Sequence, residues 1–186
     1  MAKYILLITV FISLNTFGSD EKKLMLTETT IGGMPIEVGK EISLYKIRKY
    51  FSFYRVTQEI CEGDSPDYNL FLVSTHEGEE QISFISYIDE KTGYENSVVL
   101  LDKVVIHGSL TVDEYGVYPG MNLNQAIEKR KDVKFGAGHM DNYVGNGKIW
   151  YLFSVGNTHG EQVSESMAQE ENPNIDVISW PVARWR

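Results

Sequence analysis

The histidines are the residues of this sequence that could do the most specific chemistry. His139 and Asp141 lie in a glycine-rich passage, residues 136–142, and His159 follows an apolar stretch further along the chain. Imidazole and carboxylate groups are ordinary zinc ligands, and a zinc-bound water is a nucleophile for hydrolysis. One hypothesis is therefore a metal-dependent hydrolase that uses His139, Asp141 and His159.

The spacing of these residues matches no common metal motif. The sequence has no HExxH, no paired CxxC and no close His-x-His, and its glycines fit the ordinary punctuation of a loop. It also lacks the GxSxG elbow of a serine hydrolase. We therefore favour a protein that is not an enzyme, with no catalytic residue, no metal and no cofactor.

The aromatic residues favour binding to another protein. The chain contains 11 Tyr, 8 Phe and 3 Trp, and aromatic side chains exposed near turns supply hot spots at protein interfaces. Those in or near predicted turns, or on the last predicted strand, are Tyr115, Tyr118, Tyr143, Trp180 and Trp185. The alternative is that the tyrosines are half-buried sheet residues, with Trp150, Tyr151 and Phe153 in the core.

Residues 1–18 have the features of a signal peptide. Lys3 gives a short positive region, residues 4–14 are apolar, and small residues stand three and one positions before Ser19. The apolar run is shorter than the roughly 20 residues that a transmembrane helix needs. The mature chain is therefore predicted to be periplasmic or secreted after signal-peptide cleavage, without a transmembrane span.

Charge and cysteine content limit the partners. The formal net charge is −9, and the basic cluster that stands out is residues 129–131. This balance disfavours nucleic acid and anionic membrane surfaces and favours a basic envelope or extracellular protein as partner. Cys61 is the only cysteine, so no intrachain disulfide forms. Because Cys61 lies far from Ser19, there is no lipobox cysteine, and a lipid anchor is not expected.

The hydrophobic pattern predicts an α+β fold, predominantly antiparallel sheet with two short helices. Ser43 and Asn122 are suitable N-caps for the two helices. The dipeptide Asn146-Gly147 is typical of a type I′ hairpin turn. Residues 161–172 are acidic and polar, which fits either an exposed helix or a loop.

Residues 31–186 are predicted to form a single domain after a polar linker at residues 19–30. Within this domain, residues 31–103 and 104–186 follow a similar pattern of a glycine, a short helix and a meander of strands. The motifs LFLVS and LFSVG occur at matching places in the two halves. We therefore expect an internal repeat, two helix-plus-meander halves that share one core.

Three local patterns resemble the sigma-E-regulated lipoprotein family of Gram-negative envelopes, a domain family of unknown function. They are the turn GVYPGM at residues 116–121, the aromatic strand IWYLF at residues 149–153, and the terminal VI and RWR at residues 177–178 and 184–186. The resemblance implies the periplasm or envelope, an α+β fold and no catalytic residues to carry over. Together with the aromatic residues and the missing catalytic motifs, it favours an exported, non-enzymatic protein-binding or envelope-stress-related module. The missing lipobox cysteine departs from the family.

Overall fold

The fold is known from a computed structural model, which describes residues 23–62, 66–88, 98–137, 142–155 and 163–181. These residues form three short helices, one large sheet and two small ones. In chain order the elements are β1 (Leu24–Leu26), β2 (Thr30–Ile31), β3 (Met34–Pro35), β4 (Glu41–Ser43), α1 (Leu44–Tyr50), β5 (Arg55–Cys61), β6 (Tyr68–Ser74), β7 (Glu80–Tyr87), β8 (Val98–Leu100), β9 (Lys103–Ile106), β10 (Thr111–Asp113), α2 (Leu123–Lys129), β11 (Lys134–Ala137), β12 (Asn142–Asn146), β13 (Ile149–Phe153), α3 (Glu165–Glu171) and β14 (Ile175–Trp180).

The large sheet is the centre of the fold. Its eight strands are antiparallel throughout and run in the order β11-β12-β13-β14-β9-β7-β6-β5. One row of residues, each paired with the next, crosses all eight strands: Val56, Val73, Ile82, Ile106, Ile178, Tyr151, Val144 and Phe135. All belong to or pack against the hydrophobic core. The predicted α+β class with dominant antiparallel sheet is confirmed.

The helices begin where the sequence places their caps. The Ser43 side chain accepts a hydrogen bond from the backbone N–H of Lys46, and α1 follows directly. The Asn122 side chain accepts one from the backbone N–H of Gln125, and α2 follows directly. A third helix, α3, occupies part of the stretch that fitted either a helix or a loop, and Ser164 caps it in the same way. The prediction of two helices was therefore one short.

Part of the predicted linker is structured. Leu24 and Leu26 in β1 are buried, and β1 pairs in parallel with β10 and antiparallel with β2. Met25, between the two leucines, is 53% exposed, so the three residues of β1 alternate between buried and exposed. The linker prediction was wrong for these residues. Three residues that alternate between buried and exposed are too few to indicate a strand within a charged stretch. The strand that pairs with β1 over its full length, β10, is also distant in sequence.

The predicted hairpin between β12 and β13 is confirmed, but its turn differs in type. Asn146 pairs with Ile149, so Gly147 and Lys148 are the two loop residues. Gly147 has φ +58°. Lys148 does not have a positive φ, because Asn172 is the only described non-glycine residue that has one. A positive φ at only the first loop position is the pattern of a type II′ turn, not of type I′.

The expected internal repeat stays a prediction. Each of α1 and α2 is followed by a meander that runs from one edge of the large sheet towards its centre. The matched motifs, however, lie on β6, the second strand after α1, and on β13, the third strand after α2. The proposed boundary between residues 103 and 104 also falls inside β9.

Candidate functional site: the open face of the large sheet

The two faces of the large sheet are covered differently. Ile47 of α1, Leu123 of α2 and Ala168 of α3 all belong to one hydrophobic core, as do the buried residues of β1, β2 and β3. This core is the one that the inward-facing row of the sheet joins. The helices and the small four-stranded sheet therefore lie on one side of the large sheet. We call the other side, formed by the side chains that alternate with the core row, the open face.

A row of neighbouring residues also crosses the open face. Its members, each paired with the next across the strands, are Thr57, Leu72, Ser83, Val105, Ser179, Trp150, Gly145 and Lys134. The three central members, Ser83, Val105 and Ser179, are buried, with 5%, 8% and 1% of their surface exposed, and Val105 is not part of the core cluster. Leu72 and Trp150 are half-buried. The middle of this row has no charged side chain.

Further apolar residues flank that row, and charges lie towards the margins. Leu70, Ile85, Leu152 and Val177 alternate with core residues on their strands and are half-buried. The charged residues on this face are Arg55, Glu59, Lys103 and Lys134, and Glu80, which pairs with Ser74 beside Arg55; they lie on the two edge strands or at the starts of β7 and β9. An uncharged centre with aromatic residues and a charged rim is the usual composition of a protein–protein interface.

Two glycines allow aromatic rings to lie against this face. Gly136 pairs with Tyr143, and Gly145 pairs with Trp150. A Cβ on Gly136 would stand 2.3 Å from Cε2 of Tyr143. One on Gly145 would stand 2.5 Å from the Ile149 carbonyl oxygen and 2.8 Å from Cα of Trp150, with the tryptophan ring next at 3.1 Å. The two rings meet edge to face with centroids 5.3 Å apart. The glycines thus fix a rigid aromatic pair on the sheet surface.

The polar groups of the open face are held without charge. The Oγ of Ser83 and Nε2 of His107 are 2.9 Å apart. Burial lowers the pKa of His107, with Lys103 acting in the same direction and Glu80 against it. Burial also raises the pKa of Tyr87. Neutral imidazole and phenol groups keep the centre of the face free of charge at neutral pH.

Behind the sheet, a buried polar network fixes the strands that carry the aromatic pair. Tyr151 donates its hydroxyl to Oδ2 of Asp113, whose Oδ1 accepts from the backbone N–H groups of Tyr115 and Val117. Arg130 is 2% exposed. Its Nη1 donates to the Ile149 carbonyl at 2.9 Å, at the start of β13, and its Nη2 donates to the Asn146 carbonyl at 2.6 Å, at the end of β12.

The pKa values in this network follow from its burial. Burial raises the pKa of Asp113, and its hydrogen bonds with Tyr151 and two backbone N–H groups only partly offset that effect. Burial and the Asp113 carboxylate raise the pKa of Tyr151. Burial alone would lower the pKa of Arg130, but Tyr151, Tyr115 and Asp132 raise it overall. Because these groups bond to one another inside the fold, we assign them a structural role.

The predicted binding aromatics do not converge. Tyr143 lies on the open face. Tyr115 is 37% exposed and its ring lies 4.4 Å from the Arg130 guanidinium carbon, while Tyr118 packs against the core. Trp180 was expected at an exposed position but is 0% exposed. It pairs with Val104 on the core face of the sheet, so the expectation of exposure was wrong. Trp185 lies outside the described residues.

Trp150 was missed as a candidate because it was assigned to the core with its neighbours. Tyr151 and Phe153 are in the core as predicted, but Trp150 alternates with them and is half-buried on the open face, where its indole N–H donates to the Gly147 carbonyl at 3.0 Å. Strict alternation along residues 149–153 was the signal that could have placed it there.

A cleft of about 770 Å³ lies beside β3 and β4. Its lining includes Lys40, Lys46 and Lys148. Lys40 lies 3.9 Å from Glu37, and the Lys148 ammonium lies 5.4 Å from the Trp180 ring centre. These cations already interact within the protein, so the cleft has no set of free groups converging on one point.

The structure does not test the metal hypothesis at its own residues. His139, Asp141 and His159 lie outside the described residues. Among the residues that are described, no group of three His, Cys, Asp or Glu side chains could hold a metal ion. In the same part of the chain, no helix has the length and apolar character needed to cross a membrane.

Comparison with known proteins gives a fold but no function. No protein-family model matches the chain, and no curated protein matches it in sequence. Among solved structures it is similar to the uncharacterized protein yfeY from Escherichia coli, with a TM-score of 0.57 and 14% sequence identity over 84% of this chain and 99% of that one. At this identity the likeness shows that the two chains share a fold.

Proposed function

We propose that this protein is an exported, non-enzymatic module of the cell envelope that binds another protein through the open face of its large sheet. The observation that carries the proposal is the one-sided arrangement of the fold. The helices pack on one face of the sheet, whereas the described part of the other face presents half-buried apolar residues and the Tyr143–Trp150 pair. Neighbouring apolar side chains that stay partly exposed on one face commonly mark an interaction site on a protein.

The dimensions of the face are suitable for a specific complex. Eight strands about 4.8 Å apart extend over roughly 34 Å, and the longest strands, β5 to β7, have seven or eight residues. A standard interface covers about 800 Å² on each partner. The part of the open face that a partner can contact consists of the half-buried apolar residues on either side of its buried centre, among them Leu72 and Trp150.

The charges of the face and of the whole chain bear on the kind of partner. The rim of the face carries Arg55, Lys103 and Lys134 together with the acids Glu59 and Glu80. Because charges of both signs surround the face, the local charge sets no sign for the partner surface. The net charge of −9 favours a basic partner whose contact surface is apolar at its centre.

Export and family membership are part of the same proposal. The signal-peptide pattern of residues 1–18 supports a periplasmic or extracellular location. The patterns at residues 116–121 and 149–153 support membership of the sigma-E-regulated lipoprotein family, in a form without the lipobox cysteine. The second candidate function, a metal-dependent hydrolase at His139, Asp141 and His159, has no described contact in its favour.

Comparative capture tests the proposal. The protein with its own residues 1–18 and a purification tag is expressed in its native host, recovered from the envelope fraction, and its N-terminus is sequenced. We expect cleavage before Ser19 and a co-purifying protein. The Leu72→Lys variant, which places a charge among the half-buried apolar residues of the open face, is expected to lose that protein.

The matched control is Met167→Lys, because Met167 is a 43% exposed apolar residue on α3, on the other side of the sheet. It makes the same change of charge away from the open face and should retain the partner. Equal loss from both variants, or equal retention by both, would show that the open face does not select the captured protein.

A further inference from the structure

The exposed surface of α1 differs from the rest of this acidic protein. Leu44 and Ile47 of the helix and Phe51 after it pack against the core. The five other helix residues, Tyr45, Lys46, Arg48, Lys49 and Tyr50, are all basic or aromatic. A helix with one apolar face towards the core normally shows mixed charges on the other, whereas this one has cations and aromatic rings only.

The same character continues beyond the helix. Tyr45 is 80% exposed, Phe53 is 70% exposed and Tyr50 is 41% exposed. Arg55 follows at the start of β5, and residues 42–58 contain no Asp or Glu. In a chain of net charge −9, this segment carries four cations and no anion. Lys46 is half-buried and its ammonium donates to the Glu41 carbonyl at 3.2 Å, and Arg55 lies on the open face. We call the exposed residues Tyr45, Arg48, Lys49, Tyr50 and Phe53 the α1 surface.

Folding does not require these aromatic rings to be exposed. Phe51, two residues before Phe53, fills the core against Phe84 with ring centroids 5.8 Å apart. Arg48 is partly engaged, since its Nη2 donates to the Val56 carbonyl at 3.0 Å and ties α1 to β5. Lys49 and Arg55 are exposed. A large exposed phenylalanine beside free cations has no evident role within the fold.

We infer that the α1 surface docks the protein onto an anionic lipid surface. Lysine and arginine next to such a surface are attracted by its negative potential, and aromatic rings prefer the polar–apolar boundary of a bilayer. Exposed Tyr and Phe side chains among cations suit shallow insertion between headgroups. The net charge disfavoured such a surface, but Lys46, Arg48 and Lys49 are interspersed with apolar and aromatic residues in the sequence and come together only on the helix.

The inference is independent of the partner proposed for the open face. Ile47 and Phe51 attach α1 to the core side of the large sheet, so the α1 surface and the open face lie on opposite sides of that sheet. A molecule docked through α1 would direct its open face away from the lipid. Loss of one interaction therefore leaves the other measurable.

Vesicle binding tests the inference. Protein recovered after export from its host is mixed with vesicles of phosphatidylcholine, alone or containing phosphatidylglycerol, and sedimented at low salt. We expect binding only to the vesicles with phosphatidylglycerol, and weaker binding as salt is added. Lys49→Gln should lower the partition coefficient about fivefold, and Phe53→Ser should lower it at least about tenfold.

Lys131→Gln is the matched control, because it removes an exposed lysine from the other basic cluster and should change binding less than about twofold. All variants carry the same N-terminus, so residues 1–18 do not affect the comparison. Equal binding to both vesicle types, or an equal effect of Lys49→Gln and Lys131→Gln, would contradict lipid docking. If the protein does not bind vesicles but binds polyglutamate in a way that depends on Lys49, the lipid inference is overturned, and the α1 surface binds an acidic protein instead.

Discussion

Replacing Arg130 with methionine is expected to lower the free energy of unfolding by about 3–5 kcal/mol, the usual cost of removing one member of a buried charged network. Arg130 is 2% exposed and donates to the carbonyls of Ile149 and Asn146. Methionine fills most of the volume but leaves both acceptors without their donor. It also removes the cation that helps to stabilise the ionised Asp113.

Urea unfolding measures this loss, and Lys131→Met provides the control. Lys131 is the next residue and is exposed, so the same substitution there should change stability by no more than about 0.5 kcal/mol. The midpoint should shift without a change of slope if only the native network is affected. A variant at Arg130 that is as stable as the one at Lys131 would show that the network does not stabilise the sheet.

Replacing Trp150 with alanine is expected to weaken binding of the captured partner about 30-fold or more, which corresponds to at least about 2 kcal/mol. Trp150 lies near the row of uncharged residues that crosses the open face, and Tyr143 holds its ring edge to face. A rigid tryptophan loses little conformational entropy on binding, and for this reason tryptophan is frequent among hot spots.

Titration calorimetry with the purified partner measures this effect. Tyr45→Ala is the control, because it truncates an 80% exposed aromatic residue on α1 and should leave the affinity unchanged. Urea unfolding of both variants separates lost contact from lost structure. Unchanged affinity for Trp150→Ala, with the fold intact, would remove the aromatic pair from the interface.

Local features of the fold could be predicted from the sequence because their causes are local. Ser43 and Asn122 cap their helices through side chains that reach only three residues ahead. The hairpin at Gly147 was predicted for a similar reason, although its turn type depends on which residues pair, and a dipeptide alone does not determine that. Tyr151 and Phe153 were placed in the core because alternation shows which residues share a face.

Features that depend on distant partners were missed. β1 is a strand because β10, far along the chain, pairs with it. Trp180 is buried because its register with Val104 turns it towards the core. The open face could not be recognised because it requires the order of eight strands and the side on which three helices pack, and neither is encoded in any single segment.

Site-specific photocrosslinking in living cells of the native host tests the open face most directly. A benzophenone amino acid is placed at Leu72 or Leu152 on the open face, and at the exposed Glu170 of α3 as the reference position. We expect a discrete adduct with another protein from both open-face positions and none from Glu170. Adducts of equal yield from all three positions, or from Glu170 alone, would contradict the assignment of the open face as the binding surface.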